Sequence, residues 1–168
     1  MSLREKFTYH MIHAEEASQN CDIPTPILDE QLKIFSQVPD PFDEENWSPR
    51  QYDFFTSNRD SVLALIAESV ERSKRVGLNY KLVIAHVNGW ELIPLLIQTY
   101  SLEAKDHDIL TILLQLMKKN EFQPFINSTS YAKLYGEQST YRSYINANQA
   151  NKDLIISRAN AFYNARKK

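Results

Sequence analysis

Apolar residues are densest between Tyr80 and Ile126, and their arrangement there is stated twice. Leu82, Ile84, Ala85 and Gly89 are followed by Trp90, Glu91 and Pro94; Leu113, Leu116, Met117 and Asn120 are followed by Glu121, Phe122 and Pro124. The first helices of the two units lie 31 residues apart and the second helices 30, which predicts two helix-turn-helix units in tandem. Both first helices are apolar on more than one side, the second of them almost without interruption from Ile109 to Met117. A helix that is apolar all round has to be covered all round, so both are expected in the interior. The second helix of each unit opens near Pro94 or Pro124, where a missing N–H costs nothing.

The flanking segments read as further helices. Residues 4–20 place Phe7, Met11 and Ala14 on one face. Pro26 opens a short helix whose buried side is Ile27, Leu28, Leu32, Ile34 and Phe35. Gln37 to Gln51 is a polar linker with Pro39, Pro41 and Pro49, anchored on the core by Phe42 and Trp47, and Ser48-Pro49 starts a helix through Tyr52 and Phe55. The next helix, capped by Ser57 or Asn58, repeats Val62, Leu63, Ile66 and Val70 at helical spacing. It ends in Arg72, Lys74 and Arg75, with Gly77 expected as its left-handed cap. Past the repeat, Asn127 to Ser130 cap a helix on which Tyr131, Leu134 and Tyr135 share a face. Tyr141, Tyr144 and Ile145 form a second group beyond Gly136. A last helix from about Asn148 to Arg166 turns Leu154, Ile155, Ala159, Phe162 and Tyr163 inward.

Composition narrows this picture. A chain of 168 residues is long enough for one domain with a substantial core. Three glycines leave few positions for tight turns, which argues against a hairpin-rich fold. A net charge of -2 supplies no general basic field for nucleic acid or an acidic membrane. Cys21 stands alone and fits a reducing compartment. The N-terminal residues lack an apolar signal core, and no apolar run approaches the roughly 18 residues of a membrane span. A cytoplasmic location is expected, or export by a route that leaves no such signal.

LVIAHVNG at 82–89 resembles the L-H-x-A-A-x-x-G stretch of ankyrin repeats, and AKDHDILTILLQLMKKN at 104–120 is similar to their tip, threonine and first-helix run. Ala104, Lys105 and Asp106 match the tip, Thr111 the threonine and Leu113 the leucine after it. The Thr-Pro-Leu-His signature is missing, Asn120 replaces the glycine, and two copies stand where such stacks usually need three. The resemblance implies antiparallel helix pairs that display a binding face near Trp90 and the connection Glu103, Lys105, Asp106, His107 and Asp108.

Candidate chemistry is sparse. The chain holds no Gly-rich phosphate loop, no Gly-x-Ser-x-Gly elbow, no Cys pair for zinc and no His-Glu-x-x-His. His10 and His13, three apart on a helix with Glu16 next, allow a metal site to be drawn, although two surface histidines are the ordinary reading. The acidic cluster Asp40, Asp43, Glu44 and Glu45 lacks the ligand alternation and glycine of a calcium loop. Cys21 needs a histidine partner to act as a nucleophile, and His86 reads as a core or interface residue. The basic helix end at Arg72, Lys74 and Arg75, with Lys81 beyond it, is explained by the helix dipole; nucleic-acid binding there would be weak and salt-sensitive.

The expected protein is therefore all-α, one domain of about seven or eight helices over 1–168, with helix-pair stacking at 51–126 between N-terminal (1–50) and Tyr-rich C-terminal (127–168) caps. Its expected role is a non-enzymatic protein-protein interaction module in the style of a bacterial effector or adaptor, with no cofactor. Partner contact is placed at Trp90, Glu103, Lys105, Asp106, His107 and Asp108, and at the tyrosine stripe Tyr131, Tyr135, Tyr141 and Tyr144, which is apolar over most of its area and polar at its tip. A small metal protein or enzyme built on His10 and His13, and a weak nucleic-acid regulator, are the alternatives.

Overall fold

The computed structural model describes residues 1–17, 25–38 and 45–167. Along the chain run α1 (Leu3–Ile12), β1 (Glu16–Ala17), a 3₁₀ turn (Glu30–Leu32), β2 (Lys33–Phe35), β3 (Glu45–Asn46), α2 (Pro49–Ser57), α3 (Arg59–Ser73) and α4 (Leu78–His86). A 3₁₀ turn (Trp90–Leu92) leads into α5 (Ile93–Glu103), followed by α6 (His107–Lys119), α7 (Gln123–Ile126), α8 (Thr129–Tyr135), β4 (Tyr144–Asn146) and α9 (Gln149–Arg166). The domain is all-α in character, as its apolar spacing predicts. The described residues hold nine α-helices, more than the seven or eight expected, because α7 is a single turn and α8 only two. None is long and apolar enough to cross a membrane.

The centre of the core is α6. Ile109 to Leu114, Leu116 and Met117 are all buried, and α4, α5, α9 and β2 surround the helix. Continuous apolarity is thus matched by continuous cover. The last helix contributes Ile155, Ala159 and Phe162 to this packing, while Leu154, expected inside, is 40% exposed.

The two helices α4 and α6 terminate in the same way. Asn88 (φ 54) and Glu121 (φ 50) are left-handed. Gly89 N–H reaches Ile84 O at 2.8 Å and Phe122 N–H reaches Met117 O at 3.0 Å, the six-to-one bond of a Schellman cap. Asn88 to Ala85 and Glu121 to Lys118 supply the inner bonds. These equivalent turns stand 33 residues apart, so Gly89 pairs structurally with Phe122 rather than with Asn120. The extra 3₁₀ turn at Trp90–Leu92 then brings the starts of α5 and α7 back to a spacing of 30.

Elsewhere the structure departs from the local pattern. α1 stops at Ile12 instead of near residue 20, because His13 is extended and both the Glu15 N–H and the His13 carbonyl bond to Gln51. The segment after Pro26 is a 3₁₀ turn and a strand, with Ile34 and Phe35 buried but Leu28 and Leu32 83% and 58% exposed. At the end of α3 the left-handed residue is Lys74 (φ 57), and Gly77 (φ −61) opens α4 instead. Two antiparallel ribbons, β1 with β3 and β2 with β4, join remote segments rather than hairpins. β2 also lies on α6, where the Thr111 hydroxyl donates to Phe35 O at 3.0 Å. Cys21, Asp40, Phe42, Asp43 and Glu44 fall outside the described residues, as does the side chain of Glu45.

Candidate functional site

The end of α1 is held by three side chains from three other segments. Trp47 Nε1–H donates to His10 O at 2.7 Å, Asn79 Nδ2 to Met11 O at 2.6 Å and Gln51 Nε2 to His13 O at 2.7 Å. Carbonyls at a helix C-terminus have no partner within the helix, so these contacts settle where α1 sits. Gln51 is itself placed by a capping box: its Oε1 accepts from Ser48 N–H at 3.1 Å while Ser48 Oγ accepts from Gln51 N–H at 3.3 Å. Its Nε2 also donates to His10 Nδ1 at 3.1 Å, which makes Nδ1 an acceptor and puts the imidazole proton on Nε2.

This arrangement leaves a cleft of about 910 Å³ between the end of α1, residues 37–38 and 46–47, α2, α4 and Gln115 of α6. One wall is aromatic. The Trp47 and Tyr52 rings meet edge to face at 5.9 Å, and Tyr52 lies against His86 at 4.6 Å. Met11, Ile12, Leu78 and Leu82 add apolar surface, with Ile12 69% exposed. Amides of Gln37, Asn46, Asn79 and Gln115 also face the space, and among the described residues none that lines it is Asp, Glu, Lys or Arg.

His86 is the imidazole in that lining. Thr56 Oγ1 donates to Tyr52 O at 3.0 Å, so it accepts from His86 Nε2 at 3.2 Å, and Nδ1 keeps its lone pair in the neutral ring. Burial, with the nearby Lys119 ammonium second, pushes the His86 pKa below its ordinary value. The cleft can therefore offer flat apolar surface, amide hydrogen bonds and a neutral imidazole.

The connection singled out from the sequence is largely occupied. Lys81, expected beyond a helix cap, is buried on α4 and reaches Asp106 at 2.6 Å and Asp108 at 3.4 Å; it is not displayed for phosphate binding. Glu103 and Lys105 are exposed. His107 is half-buried beside Tyr100, and its Nε2 is buried without a hydrogen-bond partner among the described residues. Burial lowers its pKa, and Lys152 adds to this. Together with Glu30, Lys33 and Phe35, the connection frames a smaller hollow of about 430 Å³. Trp90 is half-buried against Tyr163 at 6.0 Å, with the Arg166 guanidinium 5.1 Å from its ring centre.

The tyrosine stripe is divided in the same way. Tyr131 and Tyr135 pack on Phe125, and Tyr135 donates to Ser36 O at 2.7 Å. Burial raises the Tyr135 pKa. Tyr144 stands edge-on to Phe35 under the Lys33 ammonium, and Tyr141 alone of the four is exposed, at 62%.

His10, His13 and Glu16 do not come together as a metal site. His10 is buried on Gln51, His13 is exposed, and Glu16 lies beyond the helix in β1. No group of three His, Cys, Asp or Glu among the described residues is placed to hold a metal ion.

Sequence reasoning missed Gln51, Asn79 and the cleft they support. The capping-box pattern Ser48-Pro49-Arg50-Gln51 was the available signal for Gln51; nothing in periodicity joins four separated segments into one cleft. Comparison with family models, with curated proteins and with solved structures finds no match for the chain.

Proposed function

We propose that this chain is a non-enzymatic protein-interaction module that seats an extended, uncharged segment of another protein in the cleft beside Ile12, Trp47, Tyr52 and His86. The observation that carries the reading is that the described lining residues include Trp47, Tyr52 and Met11 and none that is charged, in a chain of which 24% is charged. Interface cores have that composition. A charged segment entering the cleft would be desolvated with no opposite charge among the described lining residues to meet it, whereas a peptide backbone would find amide partners in Asn79 and Gln115. Their Nδ2 and Nε2 groups are already used internally, so their oxygens remain as acceptors for peptide N–H groups.

The helix pairs α4–α5 and α6–α7 serve in this proposal as the rigid frame, the part that stacked helix pairs play in ankyrin repeats. The connection at 103–108 and the Tyr131–Tyr144 region become supports, with Glu103, Lys105 and Tyr141 left as exposed rim positions away from the cleft lining.

The test is selection of a random-peptide library on the immobilised protein, followed by binding measurements on the peptides recovered. Uncharged, apolar peptides are expected. Ile12→Glu, at an exposed position that leaves the fold intact, should weaken them at least tenfold by placing a carboxylate in the cleft, a change of about 1.4 kcal/mol. Peptides that bind the Ile12→Glu variant as tightly as the parent chain would remove this site.

A further inference from the structure

Asn88-Gly89 is the single Asn-Gly pair in the chain, and each residue suits its position. Position 88 is left-handed at φ 54, where Asn is among the few tolerated side chains. A Cβ at position 89 would stand 2.7 Å from Leu63 Cδ2 and 3.3 Å from Ile84 Cγ2, so the Leu63 side chain would have to shift to admit one. The dipeptide is chemically labile in a mobile chain: the Gly backbone nitrogen attacks the Asn side-chain Cγ, ammonia leaves, and a five-membered succinimide forms. Water then opens the ring at either carbonyl, giving an aspartyl residue or an isoaspartyl link that adds a methylene to the main chain.

In the folded protein both reacting groups are engaged elsewhere. The Gly89 N–H is bonded to Ile84 O at 2.8 Å. The Asn88 amide is held by a reciprocal pair with Asn120, Nδ2 to Oδ1 at 3.1 Å in one direction and 2.7 Å in the other. The Asn88 and Gly89 backbone is clamped further where Arg59 donates to Val87 O at 2.9 Å and to Asn88 O at 2.7 Å. We propose that Asn88 is a latent deamidation site which the Asn88–Asn120 amide pair and the α4 cap hold closed, so that the rate of conversion follows the population in which this turn is open.

Conversion is irreversible under ordinary conditions and damages the lock that prevented it. A carboxylate at position 88 can still accept from Asn120 Nδ2 but can no longer donate to Asn120 Oδ1. The isoaspartyl product lengthens the backbone inside a turn that has no slack at Gly89. A molecule that has converted here is therefore marked and closes less well.

The experiment is peptide mapping by mass spectrometry during incubation at mildly alkaline pH. It compares the parent chain, Asn120→Ala, and Phe7→Ala as a variant destabilised in α1 with the amide pair intact. Deamidation at Asn88 should be far slower in the folded parent than in the urea-unfolded chain. In Asn120→Ala it should rise about thirtyfold, the factor that corresponds to two lost net hydrogen bonds of about 1 kcal/mol each. When urea brings the two variants to equal global stability, Asn120→Ala should still convert faster. Equal rates at equal stability, or a folded parent that converts as fast as the unfolded chain, would overturn the proposal.

Discussion

The fully buried side chain of Gln51 makes four hydrogen bonds, to Ser48, Glu15, His13 and His10, and its backbone N–H bonds to the Ser48 hydroxyl and carbonyl. Replacement by Leu keeps the volume and strands buried donors and acceptors on two helices. Unsatisfied groups cost more than the net value of the bonds lost, so Gln51→Leu should destabilise by about 2–4 kcal/mol; a urea midpoint within error of the parent would contradict this. The same network gives a pH dependence. Burial, with Arg50 next, lowers the His10 pKa from its ordinary 6.5, so the unfolded chain binds a proton more readily than the folded one. The stability contributed by neutral His10 is complete above about pH 6.5 and is lost as pH falls through the depressed folded value. His86 and His107 act in the same direction. His10→Asn, which keeps an acceptor for Gln51 but cannot titrate, should show a shallower loss of urea midpoint between about pH 7 and pH 5. An unchanged slope would place the acid sensitivity elsewhere.

Among the elements, α6 was the most legible, since unbroken apolarity admits an interior helix and little else; that strand β2 joins α4, α5 and α9 in covering it was not legible. The shared cap geometry at the ends of α4 and α6 does not follow the register in which the sequence aligns the two segments. Matching Gly89 to Asn120 follows chemical likeness, whereas the shared geometry matches Gly89 to Phe122, whose extended cap conformation does not need glycine. Gly89 is glycine for another reason, its closeness to Leu63 and Ile84. Gly89→Ala should therefore cost about 1–3 kcal/mol through overpacking, and thermal unfolding at the parent temperature would refute the close approach. Lys81 teaches a related lesson. Its side chain is 6% exposed, against 40% and 36% for Asp106 and Asp108. Removing the cation leaves carboxylates that water still reaches, while removing both carboxylates leaves a buried charge unpaired. The double change Asp106→Asn, Asp108→Asn should then destabilise more than Lys81→Met, an order that denaturant titration reads directly; the reverse order would mean that water reaches Lys81.

At the scale of the molecule, the division into an N-terminal cap, a helical core and a C-terminal cap describes order along the chain but understates how the parts are joined. Local pattern cannot report that Ile34 pairs with Ile145, that Ser36 O receives Tyr135, or that Asn79 closes α1. Each contact spans a long separation in sequence, and each overrode a local preference: the helix expected through residue 20 and the one after Pro26 both gave way to ribbons and caps. The candidate cleft was invisible for the same reason, being a product of those joins. They also imply that the described residues unfold as one unit despite the polar linker inside the first 50 residues. The two tryptophans allow that to be tested in halves. Trp47 packs on Phe55 and bonds to His10 in the N-terminal part, while Trp90 contacts Tyr163 and Arg166 near the C-terminus. In Trp90→Phe the remaining fluorescence reports the first region, and in Trp47→Phe the second. If one core links them, each variant's fluorescence midpoint in urea coincides with its own far-ultraviolet circular dichroism midpoint, as a two-state transition requires. An earlier fluorescence transition confined to Trp47 would show that the ribbons and the Gln51 network are too weak to bind the N-terminal segments to the helical stack.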